Sequence, residues 1–421
     1  MCKKINQFFA KITIFFIKIY QYTLSPDKWL PSFWLKGRIC AHEPHCSKYS
    51  IQVLKRYGFW PGIFYASDRV LHCTASKHKH YDPDHYRVVF FSSAPIGVPF
   101  LEQLANDKRF EVVWVVTQCD KPAGRGMNIC ENIIKKCTKK TAKLKDCAIC
   151  TPTKLNPEKS EEGKQFAERL KEKEPDMLVV IAYGKIIPQM ILDIPKIAAI
   201  NVHGSLLPKY RGASPIQSTL LNNDKETGIT IMEMDATMDT GDMIDILRFR
   251  IPFDWTTKEL IDEMKKIGPK FLNNTLRKYG KKILGEVQQD DEKANYCGKI
   301  EKESWLIDPR NDSIETIYNK YRAFALRPKI YFNLPPSEII WNKNPKSSGK
   351  RIIIDTLELD EPTYNSNDEI PLFQKNTPLI KGNVREADRG ICLHPAVLNI
   401  TFKPEGKKTI SRKEFLNWYM K

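Results

Sequence analysis

The chain has 421 residues and a formal net charge of +17, from 67 Lys and Arg against 50 Asp and Glu. Its hydrophobic fraction of 42% is enough to build buried cores, which excludes a wholly disordered or collagen-like protein. At roughly 100–200 residues per domain the length predicts two or three domains, and the charge favours a polyanionic partner: nucleic acid, an anionic membrane or a phosphorylated substrate.

Two further features bear on the compartment. The 11 cysteines are odd in number and scattered along the chain, which favours a reducing compartment over a secreted disulfide scaffold. No run of eighteen residues lacks a charged side chain, which argues against a conventional membrane-spanning helix.

The N-terminal segment predicts an amphipathic helix. Apolar residues recur at helical spacing and share one face, which comprises Ile5, Phe8, Phe9, Ile12, Phe15, Phe16 and Ile19. Lys4, Lys11 and Lys18 lie beside that face, where their stems can run along it and leave the ammonium among lipid phosphates. We expect this helix to lie on a membrane surface; the alternative is an ordinary amphipathic helix packed on its own domain.

A segment rich in cysteine and histidine follows. Cys40, Cys46 and Cys73 lie beside histidines, which makes zinc conceivable, but the paired C-x2-C spacing is missing. Four motifs occur in order: PHCSKYS at 44–50, YGFWPG at 57–62, RVLHC at 69–73 and YDP at 81–83. This order resembles the bacterial membrane protein insertion efficiency factor family (YidD-like), although His45 stands where Thr is usual. The resemblance implies a small helical membrane-associated domain at 1–86, without catalytic residues, that contacts the anionic inner membrane through residues 1–85 and assists the insertion machinery.

The middle of the chain predicts an α/β domain. Apolar, β-branched runs at 86–91, 111–117, 177–181 and 197–202 alternate with helical patterns, which indicates a doubly wound, Rossmann-like, mostly parallel sheet. Ligands of such sheets bind beyond the carboxyl ends of the strands, where the loops 182–184 and 203–208 fall.

The second of these loops carries a pattern suited to acyl transfer. Alternation along the strand puts Asn201 and His203 on the same side. An amide donor can bind a developing oxyanion, and an imidazole can donate or accept the proton of a reacting amine. Asp239, in a glycine-containing turn after the next strand, is the candidate carboxylate to poise the imidazole.

Further motifs accompany this pattern: NVHGSLLP at 201–208, YRG at 210–212, PIQ at 215–217, TGIT at 227–230, MDTGD at 238–242 and DKPAGRG at 120–126. Together they resemble the folate-dependent formyltransferases, and within them most nearly the methionyl-tRNA formyltransferases, from about residue 86 to the C-terminus. The resemblance implies that 10-formyltetrahydrofolate is the co-substrate and initiator methionyl-tRNA the acceptor, with no metal.

The same resemblance assigns roles to residues. Asn201, His203 and Asp239 are the implied catalytic trio. Arg125 and Lys121 are the implied tRNA-binding residues. The implied folate-binding residues are Ser205, Leu206, Leu207, Pro208, Ala182, Tyr183 and Gly184.

Strand-like segments with turn signals after residue 295 predict a small β-barrel, which the resemblance implies to be an OB-like tRNA-binding domain. We therefore expect three domains, at 1–86, 87–290 and 291–421, in a cytoplasmic protein held peripherally on the cytoplasmic face of the inner membrane. The polar, acidic stretch 288–292 is the predicted link between the last two.

Some alternatives stay open at this stage. The enzyme could formylate a nucleotide-sugar amine or glycinamide ribonucleotide, or the whole chain could be a membrane-docked RNA-binding protein with a decayed active site. The basic run at 135–145 could bind phosphates or be a solvated face. A metal site formed by Cys130, Cys137, Cys147 and Cys150 is the weaker interpretation of those cysteines.

Overall fold

The computed structural model describes residues 2–23, 42–71, 80–81, 83–123, 127–326, 329–334, 350–361, 371–375 and 391–419. The first part of the chain contains helices α1 (Cys2–Thr23), α2 (Cys46–Tyr57) and α3 (Phe59–Leu71). Two short strands, β1 (His42–Glu43) and β2 (His80–Tyr81), pair in parallel beside them. Cys40 and Cys73 lie outside the described residues.

The predicted N-terminal helix is present, and it packs through its polar face. The main-chain N–H of Trp60 donates to Asn6 Oδ1 (3.1 Å), Ala10 is buried, and Gln21 Nε2 donates to Ser47 Oγ (2.9 Å). The side chains of the predicted apolar face of α1 are exposed, although Phe9 also lies against Phe59 of α3, with ring centroids 5.7 Å apart. Among the described helices, none is long and apolar enough to cross a membrane.

A seven-stranded sheet forms the middle of the chain. The strands of this region are β3 (Tyr86–Ser92), β4 (Phe110–Val116), β5 (Lys121–Ala123), β6 (Asn128–Cys130), β7 (Ala148–Cys150), β8 (Met177–Ile181), β9 (Ala198–His203), β10 (Arg211–Gly212), β11 (Glu226–Glu233) and β12 (Met243–Arg250). The sheet order is β12–β11–β9–β8–β3–β4–β7. The five strands from β9 to β7 are parallel, while β11 and β12 are antiparallel. The predicted mostly parallel sheet is confirmed.

Helices cover both faces of this sheet. They are α4 (Gly97–Asn106), α5 (Ile133–Lys140), α6 (Glu161–Glu172), α7 (Gln189–Leu192), α8 (Pro215–Leu221) and α9 (Thr257–Gly280). Alternate residues of β3 enter different cores: Val88 and Phe90 pack with α4 and α9, whereas Val89 and Phe91 pack with α6 and α7. Burial on both faces explains why the strands are continuous apolar runs.

The connections reverse direction between β3 and β8. The chain runs from β3 outward through β4 to β7 and then returns to β8 on the other side of β3. The loops after β3 and β8 therefore meet, and the N–H of Ser93 donates to the carbonyl of Ala182 (3.3 Å). Such a reversal opens a crevice at the carboxyl ends of the strands, which is where open α/β sheets bind ligands.

The last part of the chain is a small β domain. It contains β13 (Tyr296–Cys297), α10 (Ile314–Ala323), β14 (Tyr331–Leu334), β15 (Lys350–Leu359), β16 (Phe373–Lys375), β17 (Ile391–Leu393), β18 (Val397–Pro404), β19 (Ile410–Ser411) and α11 (Arg412–Tyr419). The strands β14, β15, β18 and β19 form a four-stranded antiparallel sheet, and β16 pairs with β17. Phe332, Phe402 and Phe415 share its core. Among the described residues, the region of the predicted β-barrel contains these two small antiparallel sheets.

This domain is docked on the sheet domain through α10. Arg322 is buried, and its guanidinium donates to the carbonyl of Phe253 (3.1 Å) and to Asn223 Oδ1 (3.0 Å). Ile317 lies in one hydrophobic cluster with Leu220 and Leu260 of the sheet domain. The sheet domain and the β domain thus share a core at their junction.

The N-terminal helices contact the sheet domain near the amino ends of its parallel strands. Arg56 Nε and the Tyr57 hydroxyl donate to the carbonyl of Lys108, just before β4, at 3.0 and 3.3 Å. A polar cavity of about 440 Å³ lies at this junction, lined by residues of 43–52 and 83–87 and by Glu174, Asp176 and Lys196. All three of these last residues precede parallel strands, so this junction is at the amino ends of the strands, away from the crevice.

Candidate active site

Asn201 and His203 lie two positions apart at the end of β9, so their side chains emerge on the same side of the strand, as predicted. His203 is only 5% exposed. The loop that follows β11 folds back toward β9 and brings Asp239 beside both residues. The three predicted catalytic residues are thus brought together by the fold.

The distances define a connected trio. Asn201 Nδ2 donates to Asp239 Oδ1 (3.1 Å), and His203 Nδ1 lies 3.6 Å from Asp239 Oδ2. The other ring nitrogen, His203 Nε2, lies 2.9 Å from the carbonyl oxygen of Tyr210. A carbonyl can only accept, so Nε2 carries a hydrogen and Nδ1 is the nitrogen that faces the carboxylate.

Asp239 is held in an unusual conformation. Its φ is +58°, in the left-handed region that few residues other than glycine adopt. The N–H of Gly212 donates to Asp239 Oδ2 (2.8 Å), and the side chain of Gln289 donates to its carbonyl (2.9 Å). Gly241 allows the loop to close, because a Cβ there would lie 2.1 Å from the carbonyl oxygen of Glu233. The loop is therefore fixed by its surroundings and not by regular secondary structure.

The predicted folate-binding residues surround the carboxyl ends of β8 and β9, but several of their side chains are structural. Tyr183 is buried against Phe91, and burial raises the pKa of its hydroxyl. Ser205 Oγ donates to the carbonyl of Lys209 (2.6 Å), and Leu207 is buried. Tyr183, Ser205 and Leu207 can therefore offer a ligand mainly their main chain.

The remaining members of this set are accessible. Ala182 and Gly184 are exposed and both have positive φ, while Leu206 and Pro208 are half-buried. Leu206 packs over Gly228, where a Cβ would lie 2.4 Å from Leu206 Cδ2. Ala182 and Gly184 of the 182–184 loop are thus exposed, and Leu206 and Pro208 are partly accessible, at the carboxyl ends of β8 and β9.

The predicted tRNA-binding loop is described in part. Arg125 lies outside the described residues. Lys121 is exposed at the start of the β5–β6 hairpin, and its Nζ donates to Gln118 Oε1 (2.6 Å). Gln118 Nε2 in turn donates to the carbonyl of Tyr183 (2.7 Å), which joins this hairpin to the folate-side loop.

The basic run after the hairpin is partly neutralised. Lys135 Nζ lies 2.8 Å from Asp120 Oδ2, and the hydrogen bond from Lys135 lowers the pKa of that carboxyl. Lys139 pairs with Glu131. Besides Lys139, the exposed lysines of this run are Lys136, Lys140, Lys143 and Lys145, of which Lys143 also donates to the carbonyl of Asn106.

The cysteines of this domain occupy separate positions. Cys147 is a partly buried thiol whose Sγ contacts the carbonyl of Val112 (3.4 Å), and burial raises its pKa to about 11. Cys137 contacts Glu102 and Thr141, while Cys130 is exposed on the hairpin. Within the described part of the chain, no three His, Cys, Asp or Glu side chains gather as a metal-ligand set.

Two groups at the site were missed by the sequence interpretation. The carbonyl of Tyr210 fixes the His203 ring, and buried Gln289, within the predicted acidic link, holds the Asp239 loop. The YRG motif pointed to residue 210, but a main-chain acceptor leaves no trace in sequence. A glutamine in a polar link gives no signal of burial either.

Comparisons with known proteins match two segments of the chain to families. Residues 86–276 match the family model described as "Formyl transferase", and residues 9–85 match "Putative membrane protein insertion efficiency factor". The methionyl-tRNA formyltransferase of Mycoplasmopsis pulmonis is 36% identical over 245 residues, 58% of this chain and 80% of that protein. That of Acetivibrio thermocellus is 42% identical over 218 residues, 51% of this chain and 66% of that protein.

Solved structures are also similar. HypX from Aquifex aeolicus in complex with tetrahydrofolic acid aligns with 80% of this chain and 48% of its own, at 14% identity and a TM-score of 0.45. Methionyl-tRNA formyltransferase from Clostridium thermocellum aligns with 65% of this chain and 94% of its own, at 16% identity and a TM-score of 0.43.

The sequence match to curated relatives extends over most of their length and includes the strand, loop and turn that carry the trio. An additional segment, matched to the insertion efficiency factor family, precedes it. The chain therefore belongs to the methionyl-tRNA formyltransferase family and is a one-carbon transferase.

Proposed function

We propose that this protein transfers the formyl group of 10-formyltetrahydrofolate to the α-amino group of initiator methionyl-tRNA. The observation that carries the proposal is the trio of Asn201, His203 and Asp239, joined by contacts of 3.1 and 3.6 Å. The names of the curated relatives support tRNA as the acceptor. The DKPAGRG motif and the additional C-terminal domain favour tRNA over a sugar nucleotide or glycinamide ribonucleotide.

The crevice is suited to a folate. The exposed main chain of 182–184 can bond the polar edge of a pterin, and Leu206 and Pro208 offer apolar contact. The folate supplies a formyl group activated for transfer. We assign Ala182, Gly184, Leu206 and Pro208 to direct contact, and Tyr183, Ser205 and Leu207 to shaping these loops.

The trio can supply both charge stabilisation and proton transfer. An amide nitrogen has two hydrogens, so Asn201 can donate one to Asp239 and the other to the formyl oxygen as negative charge develops there. His203 Nδ1 can accept the proton of the attacking amine, and Asp239 then stabilises the protonated ring. Asp239 itself holds both partners in place.

One assay tests the proposal directly. The purified protein is given 10-formyltetrahydrofolate with charged initiator tRNA, charged elongator tRNA, glycinamide ribonucleotide or a nucleotide-linked amino sugar. We expect formylation of methionyl initiator tRNA above the other acceptors. Preferred transfer to either small acceptor would support the alternative enzyme, and no transfer to any of them would indicate a decayed site.

The exposed aromatic side chains of the N-terminal helices favour membrane binding as a second activity. Phe8, Phe15 and Phe16 of α1 and Trp60 and Phe64 of α3 are all exposed by more than half. Exposed aromatic side chains beside lysines are typical of surfaces that rest in the headgroup region of a bilayer. We propose that residues 1–85 hold the enzyme peripherally on an anionic membrane and contact the insertion machinery there.

A further inference from the structure

We infer that Gln289, in the linker toward the C-terminal domain, is a positioning residue that holds Asp239 in its working conformation. This inference rests on the proposed role of Asp239 in formyl transfer. Gln289 makes no contact with the reacting groups in this assignment; it acts on them through the main chain of the Asp239 loop.

The contacts of Gln289 satisfy all of its polar groups. Its Nε2 donates to the carbonyl of Asp239 (2.9 Å) and to that of Gly241 (2.7 Å). Its Oε1 accepts from Arg211 Nε (3.0 Å). Carbonyls only accept and a guanidinium only donates, so the orientation of the amide follows from its partners. The side chain is 6% exposed, so water does not replace these bonds readily.

Arg211 connects this amide to the other support of the trio. Its Nη2 donates to Asp291 Oδ1 (2.7 Å) and its Nη1 to the Tyr296 hydroxyl (3.2 Å), so the linker and β13 both hold the guanidinium. The next residue, Gly212, donates its N–H to Asp239 Oδ2 (2.8 Å). The linker and β10 therefore hold Asp239 together, one at its carbonyl and the other at its carboxylate.

Asp239 needs this support because its conformation is disfavoured. A non-glycine residue with φ of +58° persists only where its surroundings over-determine it. Without the Gln289 amide, the buried carbonyl of Gly241 and the half-buried carbonyl of Asp239 lose their donor and the loop can relax. A displacement of about 1 Å in a catalytic group can cost on the order of 10²-fold in rate.

The test compares Gln289→Glu with Gln288→Glu. Glutamate at 289 keeps the size and the acceptor for Arg211 but cannot donate to the two carbonyls, whereas Gln288 is an exposed neighbour in the same linker. We expect Gln289→Glu to lower kcat by about 10- to 100-fold with KM for both substrates within about two-fold, and Gln288→Glu to match the wild type. Gln289→Met, which adds no charge, should behave like Gln289→Glu.

Two further measurements separate positioning from general damage. In an Asp239→Asn background, Gln289→Glu should cost little more, because residues that act as a unit are not additive. Independently of turnover, hydrogen exchange of the segment 235–242 should be faster in both Gln289 variants and unchanged in Gln288→Glu. Exchange that does not change, or kinetic effects that add fully to Asp239→Asn, would overturn the inference. A wild type that formylates no acceptor would defeat the proposed function, while exchange would still decide the role of Gln289.

Discussion

His203 has a hydrogen-bond acceptor facing each ring nitrogen, and this arrangement limits what the ring can do. The carbonyl of Tyr210 fixes Nε2 at 2.9 Å, and the carboxylate of Asp239 lies 3.6 Å from Nδ1. A distance of 3.6 Å is longer than a hydrogen bond, but catalytic contacts often tighten only when substrate is bound. Proton transfer is therefore expected at Nδ1, while the hydrogen bond at Nε2 holds the orientation of the ring.

Removing this imidazole should abolish most of the catalysis. We expect His203→Ala to lower kcat by about 10²- to 10⁴-fold, the usual contribution of a general acid–base group, with little change in folate binding. Single-turnover formylation of initiator methionyl-tRNA measures the rate, and folate titration measures the binding. His85→Ala is the control, because it removes a histidine at the other end of the parallel strands, and it should keep wild-type turnover. Near-full turnover in His203→Ala would show that this residue is not the proton-transfer group.

At the scale of elements, the sequence predicted best what depends on local pattern. The strands β3, β4, β8 and β9 follow the predicted apolar runs, and alternation in β9 placed Asn201 on the same side as His203. The path of the Asp239 loop and the burial of Gln289 could not be predicted, because both depend on contacts between segments far apart in the chain. The same holds for the side chains of Tyr183 and Ser205. Their motifs placed them near the site, but packing and hydrogen bonding within the fold decide which way they point.

The connection between α3 and β3 is anchored by a histidine that lies between two carboxylates. His85 Nδ1 lies 2.9 Å from Asp84 Oδ2, and its Nε2 lies 2.7 Å from Glu111 Oε2 on β4. Burial opposes the charged ring, but the adjacent carboxylates of Asp84 and Glu111 outweigh it and raise the pKa of His85 above its ordinary 6.5. The bond from His85 is the main cause that lowers the pKa of Glu111 below 4.5.

These two shifts define a pH window. The raised pKa of His85 contributes in full to the free energy of unfolding below pH 6.5, and this contribution is lost as the pH rises through the pKa of His85 in the folded protein. The lowered pKa of Glu111 contributes above pH 4.5, and its contribution is lost on acidification. Wild type should therefore exceed His85→Gln in unfolding temperature most clearly at about pH 5.5 and least at about pH 8.5. Thermal unfolding of both proteins at the two pH values measures this. An equal difference at both would exclude the charged bridge.

At the scale of the whole molecule, the N-terminal helices and the proposed catalytic trio lie at opposite ends of the parallel strands. The N-terminal helices contact the chain just before β4, through Arg56 and Tyr57, and a polar cavity of about 440 Å³ lies at the same junction. The proposed trio lies at the end of β9, where the carboxyl ends of the parallel strands are. Docking of the N-terminal helices on a membrane would therefore leave the crevice open to a large substrate.

This arrangement predicts a catalytic fragment that works alone. The predicted boundary at residue 87 would cut away Tyr86, which begins β3 and is only 3% exposed, and His85, which bridges to Glu111. A fragment of residues 83–421 keeps both. We expect it to fold and to formylate with kcat/KM within a few-fold of the full chain. A folded fragment without activity would show that the N-terminal helices contribute to the catalytic site.

The aromatic face of the N-terminal helices should account for membrane binding by the full chain. Phe16 on α1 is 63% exposed, and Leu398 on β18 is an apolar residue of matched exposure, at 65%, in the C-terminal domain. Burial of one large apolar side chain contributes roughly 1.5–3 kcal/mol, so Phe16→Glu should weaken binding to anionic vesicles by about 10-fold or more. Leu398→Glu should leave it unchanged, and salt should weaken the wild type because each lysine near the surface adds about 1 kcal/mol of screened attraction. Vesicle flotation at two salt concentrations measures the partition, with turnover as the check that each variant is folded. Equal weakening by both substitutions, or flotation of the 83–421 fragment, would place the membrane contact elsewhere in the chain.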